Sequence, residues 1–176
     1  STQKKSNTAK ALKEIEKHLR QQNIEVEQVN PSEFRLYSPG IEDGSDAELL
    51  QKIVSSADGV ILSTPEYHGS YSGILKIILE NLAYPSLLAG KPVALLGVAA
   101  GAPGATKAIE HLRGVTAHLE CQTLPKAVSI PNAYQIFDED DKCTDEDILH
   151  RLRSLGDSLK DCINKNKILV DSFAMA

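Results

Sequence analysis

The stretch Thr64-Pro65-Glu66-Tyr67-His68-Gly69-Ser70-Tyr71-Ser72-Gly73 concentrates the chemistry of this chain. Tyr67, His68 and Tyr71 stand among small residues, so backbone can approach a flat aromatic ligand closely while the side chains frame it. His68 has two readings of equal weight, a hydrogen bond to such a ligand or a cap on the helix that follows. The two tyrosines serve equally well as loop-packing aromatics. A second segment, Ser6-Asn7-Thr8, stands at the start of a helical pattern, where unpaired N–H groups and the positive end of the helix dipole favour a phosphate. Ordinary helix capping uses the same residue types. A third segment, Ala99-Ala100-Gly101-Ala102-Pro103-Gly104-Ala105, leaves room for a ring or chain to lie against bare backbone. A tight strand-to-helix turn needs that composition too.

These segments need elements that deliver them to one place. Leu12, Ile15 and Leu19 predict a helix over 7–22, capped by Ser6 or Asn7, and Ile24 to Val29 reads as a short strand. Residues 31–44 form a loop rich in Pro, Gly and Ser, and Ser45-Asp46-Ala47-Glu48 is a capping box for a helix through Ala57. Gly59 to Ser63 is a strand that enters the Thr64–Gly73 loop, and a helix over 73–84 stops at Pro85. Lys91 to Val98 has no polar alternation, as expected of a strand covered by helices on both faces. The third segment then leads into a helix over 105–119. Leu124 to Ile130 is a strand broken by Pro125 and so placed at an edge. Thr144 caps a long helix with Ile148, Leu152, Leu155, Leu159 and Ile163 on one face. Alternating strands and helices of this kind predict a single doubly wound α/β domain over residues 1–176, in which ligands sit at the carboxyl ends of the strands.

The loop beginning Pro65-Glu66-Tyr67 resembles the flavin loop of the NAD(P)H-dependent FMN reductases, and Ala99–Ala105 resembles that family's glycine-rich loop after the fourth strand. The resemblance implies a flavodoxin-like fold, a five-stranded parallel sheet with helices on both faces. It also implies an oxidoreductase that carries FMN. Hydride passes from NADPH or NADH to flavin N5 and on to a second acceptor, which can be free flavin, a quinone, an azo compound or a metal oxyanion. No side chain is then catalytic in its own right. The cofactor-binding residues it implies are Ser1, Gln3, Ser6, Asn7 and Thr8 at the phosphate, Pro65, Glu66, Tyr67, His68, Gly69 and Ser70 along the pyrimidine edge, and Ala99, Ala100, Gly101 and Gly104 against the ring. The family's phosphate loop is similar to Gly-Ser-x-Arg-x-x-Ser. Ser1 and Ser6 match, Gln3 takes the Arg position, the Gly is missing, and Lys4 or Lys5 can supply the lost charge. Related reductases carry Leu-Lys-Asn-x-Leu-Asp near a subunit interface, similar to Leu75-Lys76-Ile77-Ile78-Leu79-Glu80, and are homodimers or homotetramers. A flavodoxin-type electron carrier without nicotinamide turnover is the rival reading. A phosphoacceptor receiver domain shares the topology but needs clustered acids at strand ends, where Ser63-Thr64-Pro65 offers none.

The net charge of −5, with basic residues scattered among acidic ones, provides no stripe for a nucleic-acid backbone. No apolar run is long enough for a membrane span, which places the protein in the cytoplasm with neither nucleic acid nor membrane as partner. Cys121, Cys143 and Cys162 share no metal-ligand spacing, so no metal is expected. His18, His111, His118 and His150 fall in helical patterns, solvent-facing or packed, which leaves His68 as the one histidine in a candidate site.

The sequence starts inside the resembled phosphate loop, so the strand that precedes that loop in flavodoxin-like domains is absent from it. Lys167 to Ala174 reads as a strand after a turn at Asn164-Lys165-Asn166. Three readings stay open: Ile168 to Phe173 fills the empty central position, the tail is a disordered or packing arm, or it exchanges with a partner subunit.

Overall fold

Helix α1 (Asn7–Arg20) buries Ala11, Ile15 and Leu19, and Ser6 is its N-cap, with Oγ accepting the N–H of Ala9 at 3.2 Å. The computed structural model describes residues 6–36 and 45–174, with side chains as far as Leu169. Helix α2 (Ala47–Ser56) follows, then strand β1 (Val60–Tyr67), strand β2 (Ser70–Tyr71), helix α3 (Gly73–Glu80), strand β3 (Pro92–Val98) and helix α4 (Thr106–His118). Strands β4 (Gln122–Thr123) and β5 (Val128–Ile130) and helix α5 (Glu146–Ala174) complete the order.

β3 is central. It runs parallel to β1 on one edge, and to β4 and β5 in turn on the other. All seven of its residues are buried, and they alternate between two cores. Ala94, Leu96 and Val98 face Ile15 and Leu19 of α1 and Leu152 and Leu155 of α5. Val93 and Leu95 face Leu50 of α2, Leu75 and Leu79 of α3 and Leu112 of α4. This sandwich between two helical layers is why the strand carries no polar alternation. At about 25 cal/mol per Å² of apolar surface, these layers supply most of the driving force for folding.

The interrupted edge strand stands at the edge as expected, but its first part lies before the expected range 124–130, and of that range only Val128–Ile130 is strand. β4 and β5 lie along one side of β3, and the ladder lapses between them around Pro125. Three readings are corrected. The sheet's β2 is antiparallel to β1, so four of the five strands are parallel. Ile24–Val29 is not a strand. Among the described residues no strand lies beside it, and a strand exists only through a ladder that satisfies its backbone groups. Its Ile24 and Val26 pack against the α1–α5 core all the same.

The third correction concerns the tail. Residues 168–173 are not a strand in the sheet but the last turns of α5, a helix of 29 residues, about 43 Å at 1.5 Å per residue. No Gly or Pro interrupts residues 157–174, so nothing in the sequence stops the helix at Asn164–Asn166. Side-chain ties hold its far half down. Asn166 Nδ2 donates to Gln122 Oε1 at 2.6 Å, Lys167 Nζ meets Asp58 Oδ2 at 2.8 Å, and Ile163 packs so close to Gly59 that a Cβ there would collide with it.

Local caps also differ from expectation. Asp46, not Ser45, is the N-cap of α2, and no reciprocal box forms because Asp46 is paired with Arg35, accepting its N–H at 2.8 Å. At the start of α5, Asp145 Oδ1 accepts the N–H of Ile148, while Thr144 donates its hydroxyl to the Ile136 carbonyl instead. Helices α1 and α5 are joined by a polar knot. His18 Nε2 lies 3.0 Å from Asp157 Oδ1, Gln22 Nε2 donates to the same oxygen at 2.8 Å, and Lys160 donates to Gln22. Burial pushes the Asp157 carboxyl up, but the hydrogen bonds from Gln22 and His18 and the Lys160 charge outweigh it, leaving Asp157 below the usual carboxylate range. No helix among the described residues is long and apolar enough to cross a membrane.

Candidate functional site

The Thr64–Gly73 segment is a hairpin rather than an open loop. β1 continues through Pro65 to Tyr67, turns at His68-Gly69 and returns as β2, with Tyr67 opposite Ser70 and Glu66 opposite Tyr71. His68 (φ +50°) and Gly69 (φ +74°) both have positive φ, the pattern of a two-residue type I′ turn. A buried hydroxyl closes the base. Thr64 Oγ1 accepts the N–H of Ser72 at 2.9 Å and donates to the Pro65 carbonyl at 2.8 Å. Ser72 is then the N-cap residue of α3, so the cap reading of His68 is not realised.

The hairpin leans on α4. Glu66 Oε2 accepts the N–H of Ala108 at 3.0 Å, and α4 has no side-chain cap from its own N-cap residue, so Glu66 satisfies one of its orphan donors from across the site. One turn further along, His111 Nδ1 lies 2.9 Å from Ser70 Oγ. Lys107 lays its aliphatic stem beside Gly69, 3.5 Å from where a Cβ would stand.

Pro65 is paired with Val98 in the β1–β3 register, so the hairpin and the segment after β3 leave neighbouring strand ends side by side. That segment is stabilised from behind. The N–H groups of Asn132 and Ala133 donate to Gly101 and Ala99, and Ser129 Oγ accepts the N–H of Ala105 at 2.8 Å. Gly104 (φ +72°) sits so close to Ser129 that a Cβ would strike its hydroxyl. Gly101, by contrast, is exposed, and a Cβ there would meet only Pro103.

Ser6 lies elsewhere on the rim, in a cavity of about 350 Å³ that it shares with Lys10, Lys13, Gln28, Asp138, Glu139 and Asp141. Lys10 is committed to Asp141 at 2.9 Å. Thr8 is buried in the first turn of α1 and Asn7 is half-buried beside it. Ser1 and Gln3 lie outside the described residues. Thus Pro65–Ser70 and Ala99–Gly104 are brought together, and no hydrogen bond among the described residues links either of them to Ser6–Thr8.

Four residues were given no role by sequence reasoning, two of them inside the Thr64–Gly73 stretch. Thr64 and Ser72 close the hairpin, Ser129 holds the second loop, and His111, read as solvent-facing or packed, reaches Ser70. Ser129 and His111 belong to no short motif. The signal that could have found His111 is its three-residue spacing from Ala108, which puts both on one face of α4. Lys76 and Glu80, four residues apart on α3, form an exposed ion pair, and the hydrogen bond to Glu80 raises the Lys76 ammonium above its ordinary range. The site as a whole offers exposed backbone and small side chains beside a few convergent polar groups, the equipment for holding a planar ligand.

Comparison with known proteins agrees with this geometry. The chain is 40% identical over 99 residues to an NADPH azoreductase of Bacillus sp. (strain OY1-2), a match covering 54% of each, so it spans about half the length of that relative. It is 28% identical over 178 residues to the FMN-dependent NADPH-azoreductase of Staphylococcus aureus, covering 94% of this chain and 93% of the other. Among solved structures, the flavoenzyme NAD(P)H:(acceptor) oxidoreductase of Paracoccus denitrificans shares the fold at 24% identity, with a TM-score of 0.78 over 94% of this chain and 93% of that one. The fold is the flavodoxin-like one expected from the sequence, apart from the corrections above. Residues 1–135 match the family described as NADPH-dependent FMN reductase, a span that includes both loops at the rim, and the chain belongs to that family.

Proposed function

We propose that this chain, as a single domain over residues 1–176, is an NAD(P)H-dependent reductase that holds FMN between the 65–70 hairpin and the 99–104 loop. The observation that carries the reading is the register that sets Pro65 abreast of Val98, so that two backbone-rich turns leave adjacent strand ends together. The residues present fit a flat ring. Ala100, Gly101, Ala102 and Pro103 are exposed, and only Pro103 would lie within contact of a Cβ on Gly101.

When bound, FMN supplies the redox chemistry, taking hydride from NADPH or NADH at N5 and delivering it to an acceptor such as an azo compound or a quinone. The chain's own part is binding and orientation. Backbone from Pro65 to Ser70 lines the pyrimidine edge, where donors stabilise developing negative charge. Tyr67, 45% exposed, and His68 flank the entrance. Ala100 and Gly101 give the ring a smooth wall, with Ala99 and Gly104 buried behind them where they hold the loop in place. Ser6, Asn7 and Thr8, with Ser1 and Gln3, receive the phosphate at the start of α1, where first-turn amides have no intrahelical partner. Glu66 organises the loop by capping α4. The relatives named as azoreductases support an azo acceptor. We further assign a homodimer or homotetramer and a cytoplasmic location, in keeping with the resemblance of residues 75–80 to an interface segment.

The test is the visible spectrum of the purified protein during titration with FMN, followed by NADPH consumption in the presence of an azo dye. Flavin bands that shift on binding, with dye bleached in proportion to NADPH consumed, are the expected result. Protein that leaves the FMN spectrum and fluorescence unchanged overturns the reading. FMN binding without NADPH turnover replaces it with an electron carrier.

A further inference from the structure

A β-hairpin whose second strand is two residues long has little stability of its own and takes its position from what it docks on. Here two polar contacts dock it on α4, beside the Lys107 stem that lies along Gly69. Glu66 on β1 accepts from the Ala108 amide, and Ser70 on β2 meets the imidazole of His111 three residues further along the same helix face. Glu66 restrains the outgoing strand. Ser70, opposite Tyr67 in the pair that closes the turn, is the only point of the return strand for which a side-chain hydrogen bond to α4 is seen among the described residues.

We infer that His111 is a positioning residue for the proposed FMN loop: through Nδ1 it holds the Ser70 hydroxyl, and with it fixes the turn Tyr67–Ser70 against α4. This inference rests on the proposed function for its flavin part. Its structural part stands on the Ser70–His111 contact alone. Neither the motif that singles out the loop nor the helical pattern of residues 105–119 assigns His111 any role. Because α4 begins directly after the 99–104 loop, a hairpin pinned to α4 is also held at a fixed distance from the other wall of the site. The partner's chemistry is specific. The contact uses the ring nitrogen nearest the backbone, which the Oδ1 of asparagine reproduces in reach and in acceptor character, whereas alanine removes it.

The experiment compares wild type with His111→Ala, His111→Asn and the control His118→Ala, a residue exposed at the far end of the same helix. Two readouts are taken, amide hydrogen exchange at Ser70 in the FMN-free protein, and FMN affinity by fluorescence quenching. His111→Ala is expected to speed exchange at that amide, to weaken FMN binding by up to about tenfold, the worth of one hydrogen bond, and to lower the thermal midpoint by no more than about 3 °C. His111→Asn restores both to within about twofold, and His118→Ala matches wild type. Exchange and affinity unaltered in His111→Ala, or His111→Asn as impaired as His111→Ala, overturns the inference. A wild type that takes up no FMN overturns the proposed function instead, and the exchange rates then decide the role of His111 without the flavin.

Discussion

The carboxylate of Glu66 accepts the backbone N–H of Ala108 at 3.0 Å, so a residue at the end of one strand caps a helix that starts more than thirty residues later, after the neighbouring strand. Glu66→Ala removes that cap and frees the hairpin together. A loss of about 1 kcal/mol is expected, close to the typical value for an N-cap, which is about 3 °C in thermal midpoint for a domain of this size. Glu66→Gln keeps an acceptor at the same reach and should recover most of the loss. Circular dichroism melts of the two variants check this.

The His68-Gly69 turn makes a prediction of opposite sign for two substitutions at one position. His68 has φ +50°, which costs an L-residue about 1–2 kcal/mol and a β-branched one more. His68→Val is therefore expected to lower stability by about 1 kcal/mol. His68→Asn gives the Asn-Gly pair that type I′ hairpins favour and should match or exceed wild type in the same melts.

Two glycines three residues apart in one loop, Gly101 and Gly104, should respond differently. Gly104→Ala places a Cβ against the Ser129 hydroxyl in a backbone with φ +72°, and a destabilisation of about 2 kcal/mol or more is expected from strain and clash together. Gly101→Val meets only an ordinary contact with Pro103 and should leave the melt nearly unchanged while weakening FMN binding. Equal melts for the two variants, measured alongside FMN quenching, would contradict the assignment of one glycine to the fold and the other to the ligand.

The knot between α1 and α5 gives a pH dependence with a definite sign. Asp157 is held below the ordinary carboxylate range in the folded state, so its stabilisation is fully present above the unfolded-state pKa and is lost as pH falls through the folded one. The midpoint difference between wild type and Asp157→Asn should be largest near neutrality and shrink below about pH 4, the ordinary carboxylate range. Because the side chain is 41% exposed, the effect is modest. Melts at several pH values at constant ionic strength test the sign.

Much of this was legible in the residue order. The unbroken apolar run at 93–96 announced a strand covered on both faces, and Pro125 announced the broken edge, because burial and the missing proline N–H act locally. The two rim loops were legible from their small residues. What was not legible depended on partners distant in sequence. Ile24–Val29 has the composition of a strand, but a strand needs a neighbour that local sequence does not report. Residues 168–173 are rich in strand formers, yet they continue α5, whose preceding turn is tied to the body of the protein from Asn166 to Gln122 and from Lys167 to Asp58. The turn at His68-Gly69 hid for a different reason: histidine adopts positive φ less often than asparagine, so the pair did not read as a hairpin signal.

β3 is the shared wall of both hydrophobic layers, with Ala94 and Leu96 facing one and Val93 and Leu95 the other. Neither layer of helices can peel away without baring the back of the surface on which its counterpart rests. Melting is therefore expected to be concerted, with tyrosine emission and helical ellipticity falling along one superimposable curve rather than in successive stages.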